Sequence, residues 1–148
     1  MLDKITEMVS RNFNVRVAVY DGCQALGPRP ISIDDPEDPT IFEEIARAIG
    51  AKPVDFNYKS KCCGGPLMLR NPGEASQMSK TIVKSAKKSG AQCILTMCNL
   101  CHFMLDYYGG DLPILHFTQP LAYTLGVDSG KLGLKTHFTK VPIKLFQH

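Results

Sequence analysis

The chain has 148 residues, 44% of them hydrophobic and 21% charged, with no tryptophan and a formal net charge of +3. That length buries a core without disulfide staples, and the composition excludes a disordered or low-complexity chain. The charge is too mild to mark a nucleic-acid surface, and no apolar run is long enough to span a membrane.

The first seven residues carry charges where a signal peptide needs an apolar stretch, which predicts a cytoplasmic protein. Six cysteines in that reducing compartment point to metal or redox chemistry rather than a disulfide framework. Leu2, Ile5, Met8 and Val9 recur at helical spacing and predict a short amphipathic helix over 2–11. Val15 to Tyr20 reads as a buried strand, rich in β-branched residues. It ends at Asp21-Gly22-Cys23, which puts a thiol just past a strand's carboxyl end. The proline-rich stretch from Pro28 to Asp38 predicts a loop. Asp38 reads as the N-cap of the next helix, with Pro39 in its first turn and Glu43 and Glu44 near the positive end of its dipole. Ile41, Ile45, Ala48 and Ile49 form its inner face and Gly50 stops it.

Pro53 to Asn57 predicts a second strand, followed at once by Lys61-Cys62-Cys63-Gly64-Gly65-Pro66. A second long helix starts at Gly73, buries Met78, Ile82, Val83 and Ala86, and ends at Gly90; Lys80, Lys84, Lys87 and Lys88 form its solvated face. Cys93 to Met97 is a third buried strand that delivers Cys98 to its end. Asn99 to Tyr108 reads as a helix with Cys101 in its first turn. Pro113 to His116 is a fourth strand, and Thr118 to Leu125 a further helix before Gly126. Residues 127–148 form a basic tail without a readable period. Strands alternating with helices imply an α/β fold, a mainly parallel sheet of about four strands with helices on its faces. No boundary divides the chain, so residues 1–148 read as one domain. Working sites in such sheets lie outside the carboxyl ends of the strands. Cys23, Cys62, Cys63, Cys98 and Cys101 all fall there, which predicts a metal site at that rim.

Adjacent cysteines make a strained disulfide, yet their side chains diverge from one backbone and can hold two different metal atoms. Gly64 and Gly65 let the main chain pass close to a cofactor and lend it N–H donors. The full pattern, C-x38-C-C-x34-C-x2-C, offers five thiolates. A structural zinc or a cubane cluster uses four. A fifth points to a larger or opened iron–sulfur cluster, or to one thiol kept free for reaction. Two alternatives stay open: a zinc site, and a metal-free dithiol pair formed by Cys98 and Cys101. Cys93, inside a strand, reads as a small buried hydrophobe. His116 ends the fourth strand at the same rim and is the candidate proton donor. His102 is a candidate for a hydrogen bond to a sulfur. Tyr107, Tyr108, Met68, Met97 and Met104 read as packing residues, and His137 and His148 as tail residues without a role.

Cys23, the Cys62-Cys63-Gly64-Gly65 turn and Cys98-Asn99-Leu100-Cys101-His102 resemble the cysteine-rich CCG domain found in heterodisulfide reductase and its relatives. The likeness covers roughly residues 15–130. In that reductase one subunit carries two such domains in tandem. His116-Phe117-Thr118-Gln119 and the Leu121–Gly126 helix resemble the segment that ends the second, C-terminal one. The resemblance implies a non-cubane [4Fe–4S] cluster with Cys23, Cys62, Cys63, Cys98 and Cys101 as ligands and Gly64 and Gly65 beside it. It further implies an oxidoreductase subunit acting on a small-molecule or protein-bound disulfide or thiol, with electron transfer through the cluster. This chain departs from the family in having one motif rather than two in tandem, and Asn99 where proline is common. A lone motif implies partners: a ferredoxin-like iron–sulfur subunit, a flavin subunit, and a second CCG-domain chain or a homo-oligomer. Some relatives are associated with zinc, which keeps a zinc-binding structural or assembly module as the alternative.

Overall fold

Along the first strand Val17 and Val19 point to one side and Ala18 and Tyr20 to the other, and all four are buried. A strand covered on both faces reads this way when it lies in the middle of a parallel sheet. The computed structural model describes residues 2–25, 27, 34, 35 and 37–147. Four strands, β1 (Arg16–Tyr20), β2 (Lys52–Pro53), β3 (Cys93–Thr96) and β4 (Ile114–His116), form one sheet in the order β2-β1-β3-β4. Every pairing is parallel, with Val17 opposite Cys93 and Thr96 opposite His116. The described α-helices are α1 (Leu2–Met8), α2 (Gly22–Ala25), α3 (Ile41–Ala48), α4 (Pro72–Lys88), α5 (Asn99–Tyr108) and α6 (Thr118–Thr124), and a 3-10 turn at Gly65–Leu67 follows the vicinal cysteines. The α/β architecture expected from the sequence is therefore the one observed.

The sheet separates two cores. One joins Val17, Val19, Cys93, Leu95 and Leu115 to α3, α6 and the tail, with Leu2 and Ile5 of α1 packed against it. The other joins Ala18, Tyr20, Ile94 and Ile114 to α4 and α5. Cys93 is fully buried in the first core, and burial pushes its thiol well above its ordinary range. It is a packing residue, on the opposite side of the sheet from Cys63 and Cys101.

Three expectations are corrected. Asp38 does not cap α3: the N-cap position is Thr40, and Asp34 reaches forward to accept the N–H groups of Thr40 and Ile41, each at 2.6 Å. Those hydrogen bonds hold the Asp34 carboxyl below its ordinary range. The second strand is two residues long and begins earlier than Pro53; its last ladder bond is Val54 N–H to the Val17 carbonyl, after which the chain turns away. The inner face of α3 is carried by Phe42, Ile45, Ala46 and Ile49, with Ile41 and Ala48 only half-buried. The proline-rich loop expected over 28–38 lies largely outside the described residues, as does His148.

The tail is structured without being periodic. Short 3-10 turns at Ser129–Lys131, Leu134–Thr136 and Ile143–Phe146 let Leu132, Val141, Leu145 and Phe146 enter the first core. Phe146 packs on Phe13 and Tyr123, with ring centroids 5.2 and 5.3 Å away.

Candidate metal centre

The end of β1 delivers Cys23 through a tight turn. The Lys59 carbonyl accepts the N–H groups of Asp21 (3.0 Å) and Gly22 (3.3 Å), and Gly22 takes a positive φ of 68°. A side chain there would stand 3.2 Å from Cys101 Sγ, so glycine lets the strand end approach the second thiol group. The vicinal pair is held from both sides. Ser79 of α4 donates to the Cys63 carbonyl at 2.8 Å, Gly64 N–H donates to Cys62 Sγ at 3.4 Å, and Gly65 N–H donates to the Cys63 sulfur. Gly64 has a φ of 88° and its missing side chain would strike the Ala75 backbone. A side chain at Gly65 would overlap Leu100, so that glycine brings the turn against the start of α5. Cys98 is the extended N-cap residue of α5, at the end of β3, and Cys101 lies in the first turn.

These elements bring all five thiols into one chain of neighbours. Cys23 neighbours Cys62, Cys62 and Cys101 both neighbour Cys63, and Cys98 adjoins Cys101. Cys63 and Cys101 are buried, Cys62 and Cys98 half-buried, and Cys23 exposed. Hydrogen bonding decides their charges. The Cys101 thiol, with help from Gly65 N–H, pulls Cys63 down to about 6, whereas that same bond and burial push Cys101 far up. Burial and the neighbouring sulfurs also raise Cys23. These interactions favour the ionised form at Cys63 and the protonated form at Cys101. Among the described residues, the trio whose ligand atoms all lie within 4.8 Å of one another is His102, Asp106 and His137; no trio of thiols meets that spacing. The sulfurs are spread as a row of pairs rather than drawn around a single point.

Tyr20 carries no signal of its own in the sequence, yet its buried ring packs with Cys63 and Cys101 beneath the thiols. Its hydroxyl donates to the Lys61 carbonyl, and burial with four neighbouring sulfurs pushes its ionisation far up. What could have found it is the alternation of β1, which sends Tyr20 to the same side as Ala18. His116 sits half-buried at the end of β4, its Nε2 3.2 Å from the Met97 carbonyl and its Nδ1 2.9 Å from Thr118 Oγ1. Facing a carbonyl, Nε2 donates to Met97, and Nδ1 pairs with the Thr118 hydroxyl. His102 points at Thr96 and His137, at 3.2 Å and a 5.0 Å ring separation, and burial lowers it to about 4. An apolar cleft of about 420 Å³ opens beside Cys62 between Tyr58, Lys61, Met78 and Ile82.

Asp21 is 2% exposed, and its Oδ2 has no hydrogen-bond partner among the described residues. Burial raises its carboxyl to about 7, against the opposing pull of Lys59. The folded chain therefore favours the protonated acid, and stability declines as pH rises from the ordinary carboxylate range through about 7. Asp21→Asn mimics the neutral form. It is expected to match the native chain near pH 4 and to exceed it by about 1–2 kcal/mol near pH 8, the full shift being reduced by solvent at the rim. Urea unfolding at the two pH values checks this.

Comparison with known proteins gives this arrangement a context. An 8-methylmenaquinol:fumarate reductase membrane anchor subunit of Wolinella succinogenes is 35% identical over 132 residues, covering 82% of this chain and 46% of that protein. One of the subunits of the ferredoxin:CoB-CoM heterodisulfide reductase of Methanosarcina mazei is 30% identical over 146 residues, 90% of this chain and 49% of that one. The chain spans about half the length of these curated relatives. A crystal structure of a hypothetical protein from Helicobacter pylori superposes with a TM-score of 0.66 at 15% identity, over 96% of this chain and 28% of that one, a likeness of fold alone. The profile of the cysteine-rich CCG domain matches residues 17–106, from β1 into α5 and through all five clustered cysteines, and the chain belongs to that family.

Proposed function

We propose that this chain is the iron–sulfur subunit of a heterodisulfide reductase-like complex, with a non-cubane [4Fe–4S] cluster held by Cys23, Cys62, Cys63, Cys98 and Cys101. The observation that carries this reading is the continuous row of five thiols at the strand ends, two of them vicinal. Five thiols are one more than a single tetrahedral zinc takes, which favours a cluster of several metal atoms. When bound, such a cluster supplies iron sites for a substrate sulfur and a store for one electron. The protein's own residues do the rest. Cys63 is the thiol whose ionised form its neighbours favour, Gly64 and Gly65 bring the main chain within N–H reach of the sulfurs, and Tyr20 excludes water from below.

The cleft beside Cys62 is the route by which a disulfide or thiol reaches the rim. His116, oriented by the Met97 carbonyl and Thr118, is the proposed proton donor. Reduction of one disulfide takes two electrons and two protons and releases two thiols, so a one-electron cluster needs a partner. The relatives are named as subunits of reductases, which supports partner subunits for this chain; those proposed are a ferredoxin-like iron–sulfur subunit, a flavin subunit, and a second CCG-domain chain or a second copy of this one. No helix among the described residues is long and apolar enough to cross a membrane. A cytoplasmic location is proposed on the chemistry of the site, which needs its five thiols kept reduced.

The deciding experiment is anaerobic metal analysis with electron paramagnetic resonance. About four irons per chain and a paramagnetic signal on oxidation or reduction are expected. A colourless protein with one zinc per chain would replace this reading with the structural or assembly module.

A further inference from the structure

A second convergence of ligand-bearing side chains lies apart from the thiols. His102 and Asp106 stand one turn apart on α5, and His137 reaches them from the tail. The side chains of Asp106 and His137 are 4% and 3% exposed. His137 Nδ1 is 3.8 Å from the carboxylate, beyond hydrogen-bonding distance, and has no partner among the described residues. The other two side chains are already oriented. Thr96 Oγ1 gives its proton to the Leu115 carbonyl and accepts from His102 Nδ1, so His102 Nε2 presents a lone pair. Phe138 and Thr139 N–H groups hold the two Asp106 oxygens at 2.9 Å each.

We propose that His102 Nε2, Asp106 and His137 Nδ1 bind a divalent ion of the zinc class, clamping the tail to α5. Two imidazoles and one carboxylate are a zinc donor set, with the fourth position open to ligand. That position faces a cleft of about 490 Å³ bordered by Asn99, Phe103, His116 and Phe138.

Gln119 sets the strength of the site. Its Oε1 accepts from His116 N–H at 2.9 Å, which turns its amino group to the Leu132 carbonyl and to His137 Nε2, both at 2.8 Å. Without metal, His137 therefore carries its ring proton on Nδ1. Metal binding there moves that proton to Nε2, and the Gln119 carboxamide must turn over to accept it. Gln119→Glu gives up the Leu132 hydrogen bond but supplies the acceptor, and a negative charge, beside His137 without any rotation, and should tighten binding.

The test adds Zn²⁺ to the anaerobically purified full chain, read by competition with a chromogenic chelator and by zinc-edge X-ray absorption. Nitrogen and oxygen neighbours at about 2.0–2.1 Å are expected, with affinity at least about tenfold weaker in His102→Gln and severalfold tighter in Gln119→Glu. Circular dichroism confirms that each variant is folded, and the native spectrum alone decides the donor set. Zinc bound only through sulfur at about 2.3 Å, or held equally by His102→Gln, overturns the proposal whatever the thiols carry.

Discussion

Cys63→Ser is expected to take the chain from about four bound irons to fewer than about one. Cys63 sits between Cys62 and Cys101, and these neighbours favour its ionised form. A serine hydroxyl supplies no comparable anion, so the row of sulfurs loses its centre. Cys93→Ala is the control, since Cys93 faces the other core and touches none of the five. It should cost about 1–2 kcal/mol of stability for the lost volume and leave the iron content unchanged. Equal iron in native and Cys63→Ser protein would move the cofactor away from these cysteines.

The second large effect concerns the backbone rather than a ligand. Gly64→Ala is expected to destabilise the fold by about 3–4 kcal/mol, a fall of roughly 6–16 °C in Tm. Two penalties add: a left-handed φ of 88°, and a new carbon 2.9 Å from the Cα and carbonyl oxygen of Ala75 in α4. A helix backbone cannot retreat as a side-chain tip can. Gly90 separates the two causes, because its φ of 83° is similar but nothing lies within 4 Å of its missing carbon. Gly90→Ala should therefore cost only about 1–2 kcal/mol. Thermal unfolding of both variants gives the comparison, and equal losses would remove the steric half of the explanation.

Much of this architecture was legible because its signals are local. The strand Cys93–Thr96 and the helix Asn99–Tyr108 announce themselves through apolar runs and periodicity within a few residues. The cysteines were legible for another reason, the concentration of chemistry in one residue type placed after strand ends. What escaped the sequence depends on partners far along the chain. Asp34 caps α3 across a loop, outside the short spacing that marks a capping residue. Strand β2 stops at Pro53 because the chain leaves the sheet after one further bond, although Val54 and Phe56 have strand character. His137 reads as a tail residue, and only its descent beside Asp106 gives it a role. The tail has no period to read because its buried residues hang from 3-10 turns of differing length.

The parallel pairing of β1 with β3 governs how this protein is made. During synthesis β1 gains its longest neighbour only when residues 93–96 have left the ribosome, since Val17 to Tyr20 pair with Cys93 to Thr96. Cys23, Cys62 and Cys63 emerge before that, as separate reduced thiols exposed to passing oxidants and stray ions. A metal delivered before Cys98 and Cys101 emerge would meet at most three of the five, so insertion of the proposed cofactor waits until these distant segments have joined. Slow joining of this kind favours a cell that shields the unfinished chain.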